Sequence, residues 1–278
     1  MHFILITTTV LKDSTEQLEK MIGSLKQYEN SREITLSHYL LVQNFNESRH
    51  KDLLSKIQFP SWSKLIYEKR IISLSEARNR MLGLVNSDPD FQRKETVVAF
   101  PDDDCWYPDG LLDFIAQNIT EGDTEFIFCK YASAPVQANE NIQVAKASYG
   151  DVVFNASSNT IFVASRVARK IGGFSEDLGV GAKYNGGEDL DYAIRSFRES
   201  AKTCWCDLPL VGHRDKDSSL RGNYFVGSAL VLKRHSLISL SSCFHYFRKL
   251  SVGAFLVVTG KMPLSNFLIA VFGKYQHV

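Results

Sequence analysis

Three adjacent carboxylates, Asp102-Asp103-Asp104, follow directly on the apolar run Val97-Val98-Ala99-Phe100-Pro101. A buried strand ending in three like charges raises the energy of the folded state unless a cation neutralises them. Hard divalent ions favour carboxylate and phosphate oxygens, and Mg2+ or Mn2+ commonly takes one or two protein carboxylates together with a substrate's phosphates. The triplet therefore points to a divalent-metal site, for Mn2+ or Mg2+, at a strand end. The plainer alternative, a solvated acidic turn capping the helix that Pro108 opens, suits one Asp better than three.

Other residues of chemical interest lie further along. Glu188-Asp189 opens a helix directly after Gly186-Gly187, where the helix N-terminus favours ionised carboxylates. Such a pair can serve a general base, which needs a carboxylate within hydrogen-bond reach of a hydroxyl, or it can simply cap the helix. His213 follows the apolar run 205–211 and begins a polar loop, either as a surface residue or as a neutral imidazole ligand. Arg221 and Tyr224 are candidate diphosphate contacts, because a guanidinium fork matches phosphate oxygens, and Lys216 is a weaker candidate. The glycine-rich loop 179–187 has the freedom to close over an acceptor and exclude water. Trp106, Tyr107 and Tyr184 are candidate stacking platforms for a ring such as a sugar, although an aromatic residue beside a strand end is more often core.

The elements that must position these residues alternate between short aliphatic or β-branched runs and amphipathic stretches. Strands are predicted at 3–8, 39–43, 64–67, 96–100, 125–129 and 160–164. Helices are predicted at 14–28, 48–57, 75–85, 108–118, 165–171 and 188–199. Residues 132–156 have weaker periodicity and read as loops and short strands. The alternation predicts an open, doubly wound α/β domain, whose ligands lie at the carboxyl ends of its strands. Segments 7–9, 43–46 and 101–104 fall at such ends.

Four segments, in this order, resemble glycosyltransferase family 2, the inverting enzymes of GT-A fold. Ser75-Glu76-Ala77-Arg78-Asn79-Arg80 is similar to the family's Ala-Arg-Asn helix, and Asp102-Asp103-Asp104 to its DxD region. Gly172-Gly173-Phe174-Ser175-Glu176 is similar to its GGF-x-E turn, and Gly187-Glu188-Asp189-Leu190-Asp191 with Arg195 to its G-E-D helix. The resemblance spans residues 3–230. It implies a Rossmann-like nucleotide-diphospho-sugar transferase domain over 1–232, an open, mostly parallel sheet flanked by helices, with a C-terminal helical extension at 233–278. It further implies metal-dependent transfer of a sugar, UDP-sugar favoured, to a saccharide hydroxyl. Asp104 takes the place of the leading metal ligand, with Asp102 and Asp103 beside the ribose and the metal, and His213 completes metal or diphosphate coordination. Arg78 shapes the nucleotide site together with Thr7 at the first strand's end. Asp189 takes the place of the base, with Glu188 as its alternate. The chain departs from the family after the second strand, where an Asp is usual and Val42-Gln43-Asn44-Phe45-Asn46 stands instead. Gln43 or Asn44 then takes the base edge.

Composition bounds the remaining readings. With 278 residues, 44% hydrophobic and 23% charged, the chain can bury a full core, which excludes disorder. Five cysteines without a CxxC pair fit a reducing compartment better than a disulfide framework. The apolar start is too short for a signal peptide and reads as the first strand of a cytosolic protein. The net charge of +1 hides an asymmetry: no Asp or Glu follows Asp217, and the last 61 residues carry +7, leaving −6 for the rest. Within that tail, Leu237, Leu240, Phe244, Phe247, Ala254 and Val258 recur at near-helical spacing. A basic amphipathic extension of this kind predicts peripheral attachment to an anionic membrane surface, and together with the family resemblance it implies the inner face of the cytoplasmic membrane and an acceptor carried on a lipid in bacterial surface-polysaccharide assembly. The other reading is a helical pair packed on the domain. Nucleic acid is not an expected partner, because the acidic body repels phosphate backbones. Two rivals remain: a sugar-phosphate nucleotidyltransferase, which calls for a glycine-rich phosphate loop where Thr7-Thr8-Thr9-Val10-Leu11-Lys12 stands, and a non-catalytic saccharide- or nucleotide-binding protein.

Overall fold

A computed structural model describes residues 1–11, 14–139, 141–215 and 222–276. Its centre is β1 (His2–Val10), in which Phe3 and Leu5 face one apolar cluster while Ile4 and Ile6 face another. Burial on both faces explains why this strand reads as a continuous apolar run without alternation. Strand β2 (Thr35–Gln43) and strand β4 (Thr96–Ala99) flank β1 in parallel, and β3 (Ser63–Tyr67) continues the sheet beyond β2. The connecting helices are α1 (Glu16–Leu25), α2 (Glu47–Ser55), α3 (Leu74–Val85) and α4 (Leu111–Thr120). Asn46 and Ser73 cap α2 and α3 through their side chains, satisfying amides that the first helical turn leaves free.

The second half supplies β5 (Phe126–Ala132), β6 (Ala145–Lys146), α5 (Tyr149–Asn155), β7 (Ile161–Ala164), α6 (Ser165–Ile171), α7 (Glu188–Glu199) and β8 (Thr203–Gly212). The sheet has the order β3-β2-β1-β4-β7-β5-β8-β6. Strand β7 runs antiparallel to both β4 and β5, whereas β5 and β8 are parallel. This is the expected open, mostly parallel α/β sheet with helices on both faces. Helix α5 lies where loops and short strands are predicted. Its start is a reciprocal capping box, in which Ser148 and Asp151 satisfy each other's backbone amides. Seven residues are too few for that local signal to show as periodicity.

After β8 come α8 (Phe225–His235), α9 (Leu240–Val258) and α10 (Leu264–Phe272). Phe225, Ala229, Leu230, Leu256, Ala270 and Tyr275 join the same apolar cluster as Ile4 and Val98. Position 232 falls inside α8. Among the described residues no helix is long and apolar enough to cross a membrane, and all five cysteines are free thiols.

Candidate active site

Strand β4 delivers the acidic triplet to the sheet's carboxyl edge, and two threonines of β1 fix the turn that carries it. Thr7 Oγ1 donates to the Pro101 carbonyl at 2.9 Å, and Thr9 Oγ1 donates to Asp103 Oδ2 at 2.5 Å. Below the turn, Phe100 meets Phe174 and Tyr192 edge-on, each with centroids 5.0 Å apart. Trp106 then draws in the end of β8. Its amide donates to the Gly212 carbonyl and its carbonyl accepts from the Gly212 amide, both at 2.9 Å. The indole occupies the space a side chain on Gly212 would need, since a Cβ there would lie 2.0 Å from Trp106 Cε2.

This bridge sets His213 against the acids. His213 Nε2 lies 3.0 Å from Asp104 Oδ1 and 4.0 Å from Asp102 Oδ2, while Arg214 Nε lies 3.4 Å from Asp104 Oδ2. His213 Nδ1 stands 2.8 Å from the Arg214 carbonyl and must donate to it. In the neutral tautomer that this bond fixes, Nε2 turns a lone pair toward two carboxylates, an unfavourable arrangement that either a proton or a metal ion relieves. Burial disfavours the imidazolium, but the Asp104 hydrogen bond and charge outweigh it and raise the His213 pKa. Burial likewise opposes the Asp104 charge, yet His213 and Arg214 hold that carboxyl below its usual range. Asp102, Asp104 and His213 each offer a ligand atom, all within 4.8 Å of one another. Two carboxylates and an imidazole fit Mn2+ or Mg2+, with room left for phosphate oxygens.

Arg78 joins this corner to α7. Ser73 caps α3, and Arg78, one turn in, is buried. Nη1 donates to Asp189 Oδ1 at 2.7 Å, and Nη2 donates to Asp102 Oδ1 at 3.0 Å and to Ser158 Oγ at 2.8 Å. The Ser158 amide donates to the other Asp189 oxygen at 3.1 Å. One cation thus holds the candidate base and a candidate metal ligand in a fixed relation. Burial pushes the Asp102 carboxyl up to about 6, with Arg78 pulling down and the Asp189 charge pushing up. Burial, reinforced by the Asp189 charge, pushes Glu188 up to about 8, which favours its protonated form. Glu188 Oε2 has no hydrogen-bond partner among the described residues.

The other predicted residues fall in three groups. Thr7 and Gln43 are buried and hold the framework: Gln43 Oε1 accepts from the Ile72 amide at 2.9 Å. Asn44 sits at φ 57°, and its side-chain Nδ2 donates to the Leu11 carbonyl at 3.4 Å. The Trp106 ring is taken up by Gly212 and by Lys20, whose Nζ stands 3.1 Å from its centroid. Tyr184 donates to the Lys274 carbonyl at 3.1 Å, and Tyr224 packs on Gly186. Arg221 and Lys216 lie outside the described residues. Thr9, Ser158 and Arg214 are additions that sequence reasoning did not select. Thr9 lies in a flagged strand end, whereas the Ser158 contribution through its backbone N–H leaves no trace in residue type.

A mixed eight-stranded sheet of this order, its acidic turn linked through Arg78 to a glycine-led helix, is a GT-A fold. Among its solved neighbours are structures of S. aureus TarS. The fragment 1–349 of TarS matches with a TM-score of 0.61 and 14% identity, over 98% of this chain and 72% of that one. The same fragment in complex with UDP-GlcNAc matches at 0.59 and 14%, over 85% and 66%. In complex with UDP it matches at 0.55 and 13%, over 84% and 65%. No protein-family model and no curated protein matches the sequence. At these identities the likeness is one of fold.

Proposed function

We propose that the chain is an inverting, metal-dependent glycosyltransferase that moves a hexose from a nucleotide-diphosphate donor, a UDP-sugar in the first instance, to a saccharide hydroxyl. The observation that carries this reading is the linkage of the Asp102, Asp104 and His213 corner to Asp189 through one buried arginine, on a fold whose TarS neighbour binds UDP-GlcNAc. The donor's diphosphate would lie against Asp102, Asp104 and His213, which would hold Mn2+ or Mg2+, and the ion would supply positive charge to offset that building on the leaving group. Asp189 takes the proton from the acceptor hydroxyl as that oxygen bonds to the anomeric carbon and the bond to the diphosphate breaks, its electron pair leaving with the nucleotide. Arg78 and the Ser158 amide fix the direction in which the Asp189 lone pairs point. Burial favours the neutral form of Glu188 beside it, which keeps a second charge away from the base.

An acceptor on a lipid, and attachment of residues 233–278 to an anionic membrane surface, belong to the same reading. Its support is the outer face of α9, where Leu240, Phe244, Phe247, Phe255 and Val258 recur at helical spacing and are all exposed, at 92% for Leu240 and 86% for Val258. Arg248, Lys249 and Lys261 lie on or beside this helix with no acid in the tail. The 19 residues of α9 make a rod of about 28 Å that lies along an interface.

A thermal-shift panel of UDP-, GDP- and dTDP-sugars, with and without Mn2+, tests the donor assignment. A Tm rise with UDP-sugars that requires Mn2+ is expected, since a ligand stabilises the state that binds it. No rise with any nucleotide sugar would refute the donor-binding reading.

A further inference from the structure

We propose that Tyr275 is a positioning residue for transfer, and that residues 273–276 form a clasp setting the first turn of α7 and the loop before it. This rests on the assignment of Asp189 as the base. Asp191, two residues along α7, is fully buried on the side turned away from Asp189, as a rotation of about 200° over two residues requires. It accepts three hydrogen bonds: from Arg195 Nε at 2.7 Å, from His235 Nε2 of α8 at 3.1 Å, and from the Tyr275 hydroxyl at 2.7 Å. Arg195 passes the linkage on to the carbonyls of Ile171 and Gly173, at 2.7 and 2.8 Å.

The same short segment also ties down the loop. The Gln276 amide donates to Asp177 Oδ2 at 2.8 Å, and the Lys274 carbonyl accepts from Tyr184. Lys233 Nζ of α8 donates to the carbonyls of Val271 and Gly273 at 2.5 and 3.1 Å, and the Arg234 guanidinium stands 5.2 Å from the Tyr275 ring. Segments without regular structure are ordinarily among the more mobile parts of a fold. Residues 273–276 are bonded at four points, and three of the partners, Asp177, Tyr184 and Asp191, bracket Glu188-Asp189. Two of the tail's basic residues, Lys233 and Arg234, thus serve the clasp.

Losing the Tyr275 hydroxyl would leave the buried Asp191 short of a donor and free the segment that brackets the base. Displacement of a reacting group by about 1 Å costs up to roughly a hundredfold in rate while leaving donor contacts intact. The test compares the full chain with Tyr275→Phe, which keeps the ring over Arg234 and removes only the hydroxyl. Three readouts are taken: UDP-GlcNAc affinity with Mn2+, UDP release from UDP-GlcNAc, and amide hydrogen exchange. The expected result is affinity within about twofold of the parent, UDP release reduced about tenfold or more, and faster exchange confined to residues 177–192. Unchanged exchange there overturns the clasp, as does an unchanged rate of UDP release by a parent that turns over. A uniform rise in exchange with weakened donor binding also overturns it, by showing a general role in stability. If the parent itself binds no UDP-GlcNAc, the donor reading fails on its own, and the exchange pattern alone decides for or against the clasp.

Discussion

Glu188 and Asp189 are neighbours in sequence with opposite surroundings. Asp189 is paired with Arg78 and a backbone amide, while Glu188 is buried with one oxygen unpartnered and its carboxyl pushed up to about 8. Because the folded-state value lies above the ordinary 4.5, folding favours the protonated form. That contribution is fully present below pH 4.5 and is lost as pH rises through 8. Glu188→Gln keeps the shape of the neutral acid and removes the dependence. Its melting temperature should match the parent's near pH 4.5 and exceed it increasingly up to pH 8, by the equivalent of about 1 kcal/mol or more. Parallel melting curves for the two proteins across that range would show that Glu188 is ionised in the fold.

Helix α7 can start at Glu188 because Gly187, at φ 92°, admits the turn and lets α8 approach. The approach is backbone to backbone: a Cβ on Gly227 of α8 would lie 2.0 Å from the Gly186 carbonyl oxygen. Gly227→Ala should therefore destabilise the protein by about 2 kcal/mol or more in denaturant unfolding, whereas Gly83→Ala, on an open face of α3, should be neutral or slightly stabilising. Equal effects at both positions would contradict the packing described. The elements on which these glycines sit were legible to different degrees. Helix α7 announces itself through Gly-Gly-Glu-Asp, the acidic turn through its place after an apolar strand, and β1 through its β-branched run. The Gly227 contact, the Thr9–Asp103 bond between residues 94 apart in sequence and the Tyr275–Asp191 bond between residues 84 apart are invisible in any local window. Tyr275 gives no local signal at all, because the residue it serves is found only by folding.

Across the whole molecule, charge is divided between an acidic body and a basic, apolar-faced extension that packs against the body's core. Vesicles containing anionic lipid should sediment the protein at low salt and release it at high salt, and neutral vesicles should sediment it less. Phe244→Asp with Phe247→Asp, both on the exposed face of α9, should abolish sedimentation without lowering the melting temperature. Retained binding in that double variant would rule out α9 as the membrane face. The central claim concerns the other pole, where the triplet at the exit of β4 meets Asp189 through Arg78. Its most direct test is UDP release from UDP-GlcNAc in the presence of Mn2+, measured for the parent, Asp104→Ala and Asp189→Asn. The account predicts turnover by the parent, loss of both nucleotide affinity and turnover in Asp104→Ala, and retained affinity with turnover reduced about a hundredfold or more in Asp189→Asn. Undiminished turnover in either variant would contradict it.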